Sequence, residues 1–170
     1  SAWLDELCYL NTNLKAVVLP MLDAVASIDG DLYASLADAI AAAQDGDVIV
    51  LLADIDTDAI YTINNGVSIT LDLNGKTISR TNSVKLTKND ALIRINKGGE
   101  LTVIDSIGGG KIVYEYTGEA TGWGGYSAST IENNQGTLTV KSGEIISNTN
   151  MLNKTDILYQ LHDDTKNLLG

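Results

Sequence analysis

The 170-residue sequence has no phenylalanine, one cysteine, one proline and one histidine. Each scarcity excludes something. With aromatics at only 5%, the core has to be built from Ile, Leu, Val and Ala, which favours regular layers of similar side chains. A lone Cys8 rules out an intramolecular disulfide. It is also a poor candidate nucleophile, because the only histidine, His162, lies far along the chain in a polar tail. One proline beside 16 glycines fits many short strands and tight turns better than a helical bundle. Basic residues are scarce too: 11 Lys and Arg stand against 22 Asp and Glu, a net charge of -11. No basic face is available for phosphates, which argues against nucleic acid and against an anionic membrane surface. No stretch approaches the ~20 apolar residues needed to span a bilayer, so membrane insertion by a helix is not expected. The acid surplus reads as a solvated surface, with calcium binding as the sharper alternative.

What the sequence does contain is a phrase used three times. It runs Asn64-Asn65-Gly66-Val67-Ser68-Ile69-Thr70-Leu71, then Asn96-Lys97-Gly98-Gly99-Glu100-Leu101-Thr102-Val103, then Asn133-Asn134-Gln135-Gly136-Thr137-Leu138-Thr139-Val140. The copies are spaced by 32 and 37 residues. Each has an asparagine turn and an alternating apolar-Thr-apolar strand, followed by a second turn and strand at Gly75-Lys76-Thr77-Ile78, Gly110-Lys111-Ile112 and Gly143-Glu144-Ile145. A supersecondary unit reused at this spacing predicts a stack of repeats. Strands are expected near 48–52, 60–63, 67–73, 76–79, 91–95, 101–105, 111–116, 128–132, 138–141 and 144–147. Three strands per repeat make a triangular coil, and three to four coils at ~4.8 Å make a stacked part about 20 Å tall. Asn64, Asn96 and Asn133 occupy equivalent corners and are expected to form a structural ladder of side-chain amides.

Three regions follow. Residues 1–26 form an N-terminal segment in which Trp3, Leu7, Leu10, Leu14, Val17 and Met21 make one helical apolar stripe that Pro20 should bend or end. It reads as a helix packed on the domain, with a homo-oligomer formed through residues 1–25 as the alternative. Val17–Met21 and Ala24-Val25-Ala26 resemble the end of a signal peptide, but Asp5, Glu6 and Asp23 spoil the pattern. Residues 27–147 form the repeat domain. A helix over 35–45, capped at Ser35 with Asp38 three residues on and stopped by Gly46, is placed to cover its first layer. Residues 148–170 read as a helical tail, with Met151, Leu158, Leu161, Thr165 and Leu168 as its apolar positions.

The segments Tyr33-Ala34-Ser35-Leu36-Ala37-Asp38-Ala39-Ile40, Asp45-Gly46-Asp47-Val48-Ile49-Val50-Leu51-Leu52 and Leu71-Asp72-Leu73-Asn74-Gly75-Lys76-Thr77-Ile78 carry a resemblance. Over roughly residues 30–147 the chain resembles the pectin-lyase-like right-handed parallel β-helix domains of large secreted or surface-attached bacterial proteins and their phages. The resemblance implies an all-β fold, a short right-handed parallel β-helix, and an extracellular or cell-surface location, including a phage particle. It does not carry function, because the matching residues belong to caps and turns.

Activity in that group implies calcium-binding carboxylates with an arginine base, or the segments Asn-Thr-Asp, Asp-Asp, Gly-His-Gly and Arg-Ile-Lys. Only Arg80 and Arg94 are present, and Asp163-Asp164 supplies just the bare acidic dipeptide. Arg94 is expected to point outward from a strand, and Arg80 to open the loop 80–90. Two local constellations remain. Asp54, Asp56 and Asp58 alternate along an extended segment and are candidate calcium ligands, with an exposed acidic connector as the plainer reading. Trp123 and Tyr126, in the Gly-rich loop 117–127, are candidate platforms for sugar rings, with Trp123 folding back to cover a coil edge as the plainer reading. The sequence therefore points to a non-catalytic extracellular module, structural or adhesive, whose partner is a glycan or a surface protein. A polysaccharide lyase-type enzyme and a phage virion or assembly protein that oligomerises through terminal helices are the alternatives.

Overall fold

In the computed structural model the described residues are 23–119, 125–149 and 158–161. Fourteen strands and one helix are found among them. In chain order they are β1 (Ala26–Ile28), β2 (Asp31–Tyr33), α1 (Leu36–Ala42), β3 (Val48–Leu51), β4 (Ile55–Asp56), β5 (Tyr61–Ile63), β6 (Ser68–Asp72), β7 (Thr77–Asn82), β8 (Asp90–Asn96), β9 (Glu100–Ile104), β10 (Lys111–Tyr116), β11 (Ala128–Asn134), β12 (Thr137–Val140), β13 (Glu144–Thr149) and β14 (Leu158–Leu161). No helix among the described residues is long and apolar enough to cross a membrane.

The strands sort into three sheets of order β12-β9-β6-β3-β1-β2, β13-β10-β7-β4 and β14-β11-β8-β5. From β6 onward every strand lies parallel beside the strand three places before it. The register matches like with like. Ile49, Leu71, Val103 and Val140 form one row, and Ile55, Ile78, Ile112 and Ile145 another. Ile49, Val103, Ile78 and Ile112 are fully buried, and all three sheets feed a single core cluster. Alternate residues such as Thr70, Thr102 and Thr139 form a row on the other face, as the two-residue period of a strand requires. Each buried Ile or Leu of these rows contributes about 1.5–3 kcal/mol of transfer free energy.

The first sheet is mixed rather than wholly parallel. β1 runs antiparallel to both β2 and β3. β1 and β2 therefore form a hairpin ahead of the first repeat. Its turn is Asp29-Gly30, with φ of 49° and 93°, the paired left-handed geometry whose twist suits two-residue hairpins. α1 follows at once. The Ser35 hydroxyl accepts the Asp38 N–H at 3.0 Å and donates to the Asp38 carboxylate at 2.6 Å, so the two side chains bond to each other. The helix ends at Ala42 because Ala43 is already extended (ψ 138°), short of the expected position 45. Gly46 is left-handed (φ 89°) but serves the turn into β3, where the Asp47 carboxylate accepts the Gln44 N–H. Leu36 and Ala39 are buried and Ile40 packs against the core, leaving a void of only about 10 Å³ beside Ile49 and Ile69.

The C-terminal segment differs from expectation where it is described. Asp23 is helical and the chain has left the helix by Ala24 and Val25, where the Val25 N–H bonds the Tyr33 carbonyl; residues 1–22, with Cys8 and the apolar stripe, lie outside the described residues. In the segment expected to be a helical tail, β13 continues to Thr149 and Leu158–Leu161 is a strand. β14 pairs in parallel with β11 from Ile131↔Leu158 to Asn134↔Leu161. An open sheet edge offers hydrogen bonds that an isolated short helix cannot match.

Candidate functional site

The richest polar cluster lies where β7 and β8 end at the loop 83–89. The strand period explains how it arises. Ile78 is fully buried, so Arg80 and Asn82, two and four residues further on, share its face. β7 runs past the expected end at Ser79, and this turns Arg80 inward instead of letting it open the loop. The guanidinium reaches Asp90 at 3.1 Å, with the two side chains only 11% and 9% exposed. It also donates to the Ala91 carbonyl at 2.7 Å. Asp90 takes the Tyr114 hydroxyl at 2.7 Å and the Asn82 amide at 2.9 Å. The Arg80 guanidinium lies 5.8 Å from the centroid of the Tyr114 ring. Burial, and then the hydrogen bond to the Asp90 carboxylate, push the Tyr114 hydroxyl well above the ordinary phenol range. Four groups are thereby locked to one carboxylate or its partner. Breaking such a buried ion pair on one side costs about 3–5 kcal/mol.

Two loops meet here. Asp90 N–H bonds the Ser127 carbonyl, Ser127 N–H bonds the Asn89 side chain, and Thr117 N–H bonds the Asn82 carbonyl. Lys85 and Glu119 form an exposed pair at 3.0 Å. The Tyr116 hydroxyl donates to the Glu119 carbonyl at 2.8 Å. Tyr126, 46% exposed, sits in this region, while Trp123 lies outside the described residues.

Arg94 does not simply project into solvent. It is the register partner of Glu132, and its Nε and NH2 both reach one Glu132 oxygen at 2.7 Å. Both arginines therefore sit beside a carboxylate that sequence spacing did not reveal, because Asp90 and Glu132 are brought in by other strands.

The candidate calcium ligands do not gather. Asp54 accepts the Thr77 N–H at 2.8 Å and Asp56 takes the Ser79 hydroxyl at 3.3 Å, so these two are committed to holding β7 beside β4. All three, Asp58 included, are exposed. Among the described residues no three His, Cys, Asp or Glu side chains are grouped to hold a metal ion.

The amide ladder runs through a different residue from the one expected. Asn96 donates to Asn64 at 2.9 Å, and Asn134 donates to Asn96 at 3.5 Å. Asn133 is off the ladder. It pairs with Ile95, is buried, and its side-chain Oδ1 accepts the Gly136 N–H at 2.8 Å. The turn after β11 is one residue shorter than its predecessor: Asn96 precedes Glu100 by four positions, and Asn134 precedes its counterpart Thr137 by three. Aligning the repeats from the strand that follows thus selects the wrong asparagine.

A second polar corner went unnoticed in the sequence. Asp105 accepts the Gly75 N–H at 2.8 Å and the Gly110 N–H at 2.7 Å, and Asp72 accepts from Asn74 and Ser106. The backbone donors, Gly110 foremost and then Gly75, hold the Asp105 carboxyl below its ordinary range. The Asp at or just past the strand end, Asp72 in β6 and Asp105 after β9, was the available signal. Comparisons with known protein families, with curated proteins and with solved structures gave no match.

Proposed function

We propose that the chain is a short right-handed parallel β-helix, with three strands per coil and α1 as its N-terminal cap. It serves as a non-catalytic extracellular or cell-surface module, structural or adhesive, and contacts a glycan through the loop 117–127. The coil reading is supported by the pairing of each strand with the one three places earlier and by matched rows of Ile, Leu and Val. The observation that carries the functional reading is where the polar chemistry goes. Arg80 is bound to Asp90 and Arg94 to Glu132, while Asp54, Asp56, Asp72 and Asp105 hold turns and neighbouring strands together. These groups stabilise the scaffold by satisfying one another. Glycan contact rests on the Tyr126 ring and on its Gly-rich neighbourhood with Trp123, since aromatic faces stack on sugars.

Retention on immobilised polysaccharides tests this reading. The wild-type chain is expected to be retarded on at least one of them, and Tyr126→Ala and Trp123→Ala to elute earlier. Identical elution of wild type and both variants on every matrix removes the glycan role.

A further inference from the structure

The loop 83–89 and the ends of β7 and β8 border an open pocket of about 200 Å³. Its wall includes Arg80, Asn82, Lys85, Thr87, Lys88 and Asp90. Three cations face one carboxylate, which leaves two positive charges in surplus on a chain of net charge -11. A cleft lined by one sign of charge concentrates counter-ions of the other. Asp90 is already matched by Arg80, Asn82 and Tyr114, so the surplus belongs to the two lysines. Among the described residues Lys85 pairs with Glu119, and the two side chains are 63% and 67% exposed, so water readily screens the pair.

The geometry of the remaining donors selects the shape of the anion. The terminal nitrogens of Arg80 bind the Ala91 carbonyl and Asp90, so the planar fork that reads a carboxylate is occupied. What is left at the wall is two ammonium groups and the Thr87 hydroxyl, with the charge of the largely buried Arg80 behind them. These donors come from separate side chains rather than from one plane. They suit a group whose acceptor oxygens point in several directions.

We propose that this pocket binds a tetrahedral oxyanion, a sulfate or phosphate group, free or as an ester, through Lys85, Lys88, Thr87 and Arg80. The site is independent of the Tyr126 loop as a sugar platform, so a chain that retains no neutral polysaccharide is still expected to bind sulfate.

The test is an NMR titration of isotope-labelled protein with sodium sulfate, sodium phosphate and sodium acetate, at ionic strength held constant with chloride. Saturable shifts of the Val84–Lys88 amides are expected with sulfate and phosphate, and acetate should bind about tenfold more weakly because the planar fork is taken. Lys85→Gln and Lys88→Gln, both at exposed positions that leave the fold intact, should each weaken sulfate about tenfold. A parallel titration with glucose 6-sulfate separates the sources. Tighter binding than inorganic sulfate assigns the site to an ester on a sugar, and equal binding assigns it to the anion alone. Linear, unsaturable shifts with sulfate and phosphate, acetate binding as tightly as sulfate, or unchanged affinity in both lysine variants would overturn the proposal.

Discussion

Arg80 and Tyr114 are register partners on adjacent parallel strands, and both side chains are turned into the protein. The row beside them, Ile78 and Ile112, is wholly apolar. One strand face therefore passes from a hydrocarbon core to a charged one within two residues, and Asp90 is the group that makes this tolerable.

That dependence predicts an asymmetry between variants. Asp90→Ala leaves the Arg80 charge buried without its partner and should destabilise the fold by about 3–5 kcal/mol. Tyr114→Phe removes the hydrogen bond to the charged Asp90 and a long one from Asn82, and should cost about 1.5–3 kcal/mol. Urea unfolding midpoints at constant slope measure both. Equal, small losses for the two variants would mean that the ion pair is not an internal one.

The same cluster sets the alkaline limit. The Tyr114 hydroxyl titrates higher in the folded than in the unfolded chain. Its contribution is fully present below the ordinary phenol value of about 10 and is lost as pH rises beyond it, because the unfolded state then sheds its proton first. Stability should fall above that pH, and Tyr114→Phe should flatten the fall. Thermal midpoints across the alkaline range read this directly.

Asp105 sets an acid limit of the opposite sign. Its carboxyl is held low by the N–H groups of Gly110 and Gly75. The stabilisation is present above the ordinary carboxylate range and disappears as pH falls through the lowered value. Asp105→Asn should therefore be less stable at neutral pH and lose less on acidification. Parallel acid-unfolding curves for wild type and variant would contradict this.

The asparagine corner predicts that Asn133 and Asn134 are not equivalent. Asn133→Ala empties a buried position and leaves the half-buried Gly136 N–H without its partner, and should cost about 1–3 kcal/mol, whereas Asn134→Ala removes one long ladder bond at a half-buried position and should cost under about 1 kcal/mol. Denaturant midpoints of the two variants separate them, and a larger loss at Asn134 would restore the ladder as the sequence drew it.

These cases show how far the sequence could be read. The alternating runs at Ile69–Leu71, Leu101–Val103 and Leu138–Val140 locate strands well, because burial of one face imposes a period that survives without tertiary information. β4 is two residues long and leaves no periodic trace. The β1–β2 hairpin announced itself only through Asp29-Gly30, and its antiparallel pairing to β3 follows from an edge that needed covering. The polar cluster was hidden for a different reason. Arg80, Asp90 and Tyr114 are far apart in order and meet only once β7 is allowed three residues more, to Asn82. Asn133 misled because one residue is missing from a turn, and a slip of one exchanges the faces of a strand.

The most direct test of the account is a polysaccharide panel incubated with the intact chain, with and without Ca²⁺, following product chain length and the absorbance of new carbon–carbon double bonds. The account predicts retained but uncut polymers, with no new double bonds under either condition. Shortened chains or new double bonds, abolished by Arg80→Lys or Arg94→Lys in a folded variant, would contradict it and make one of these ion pairs part of an active site.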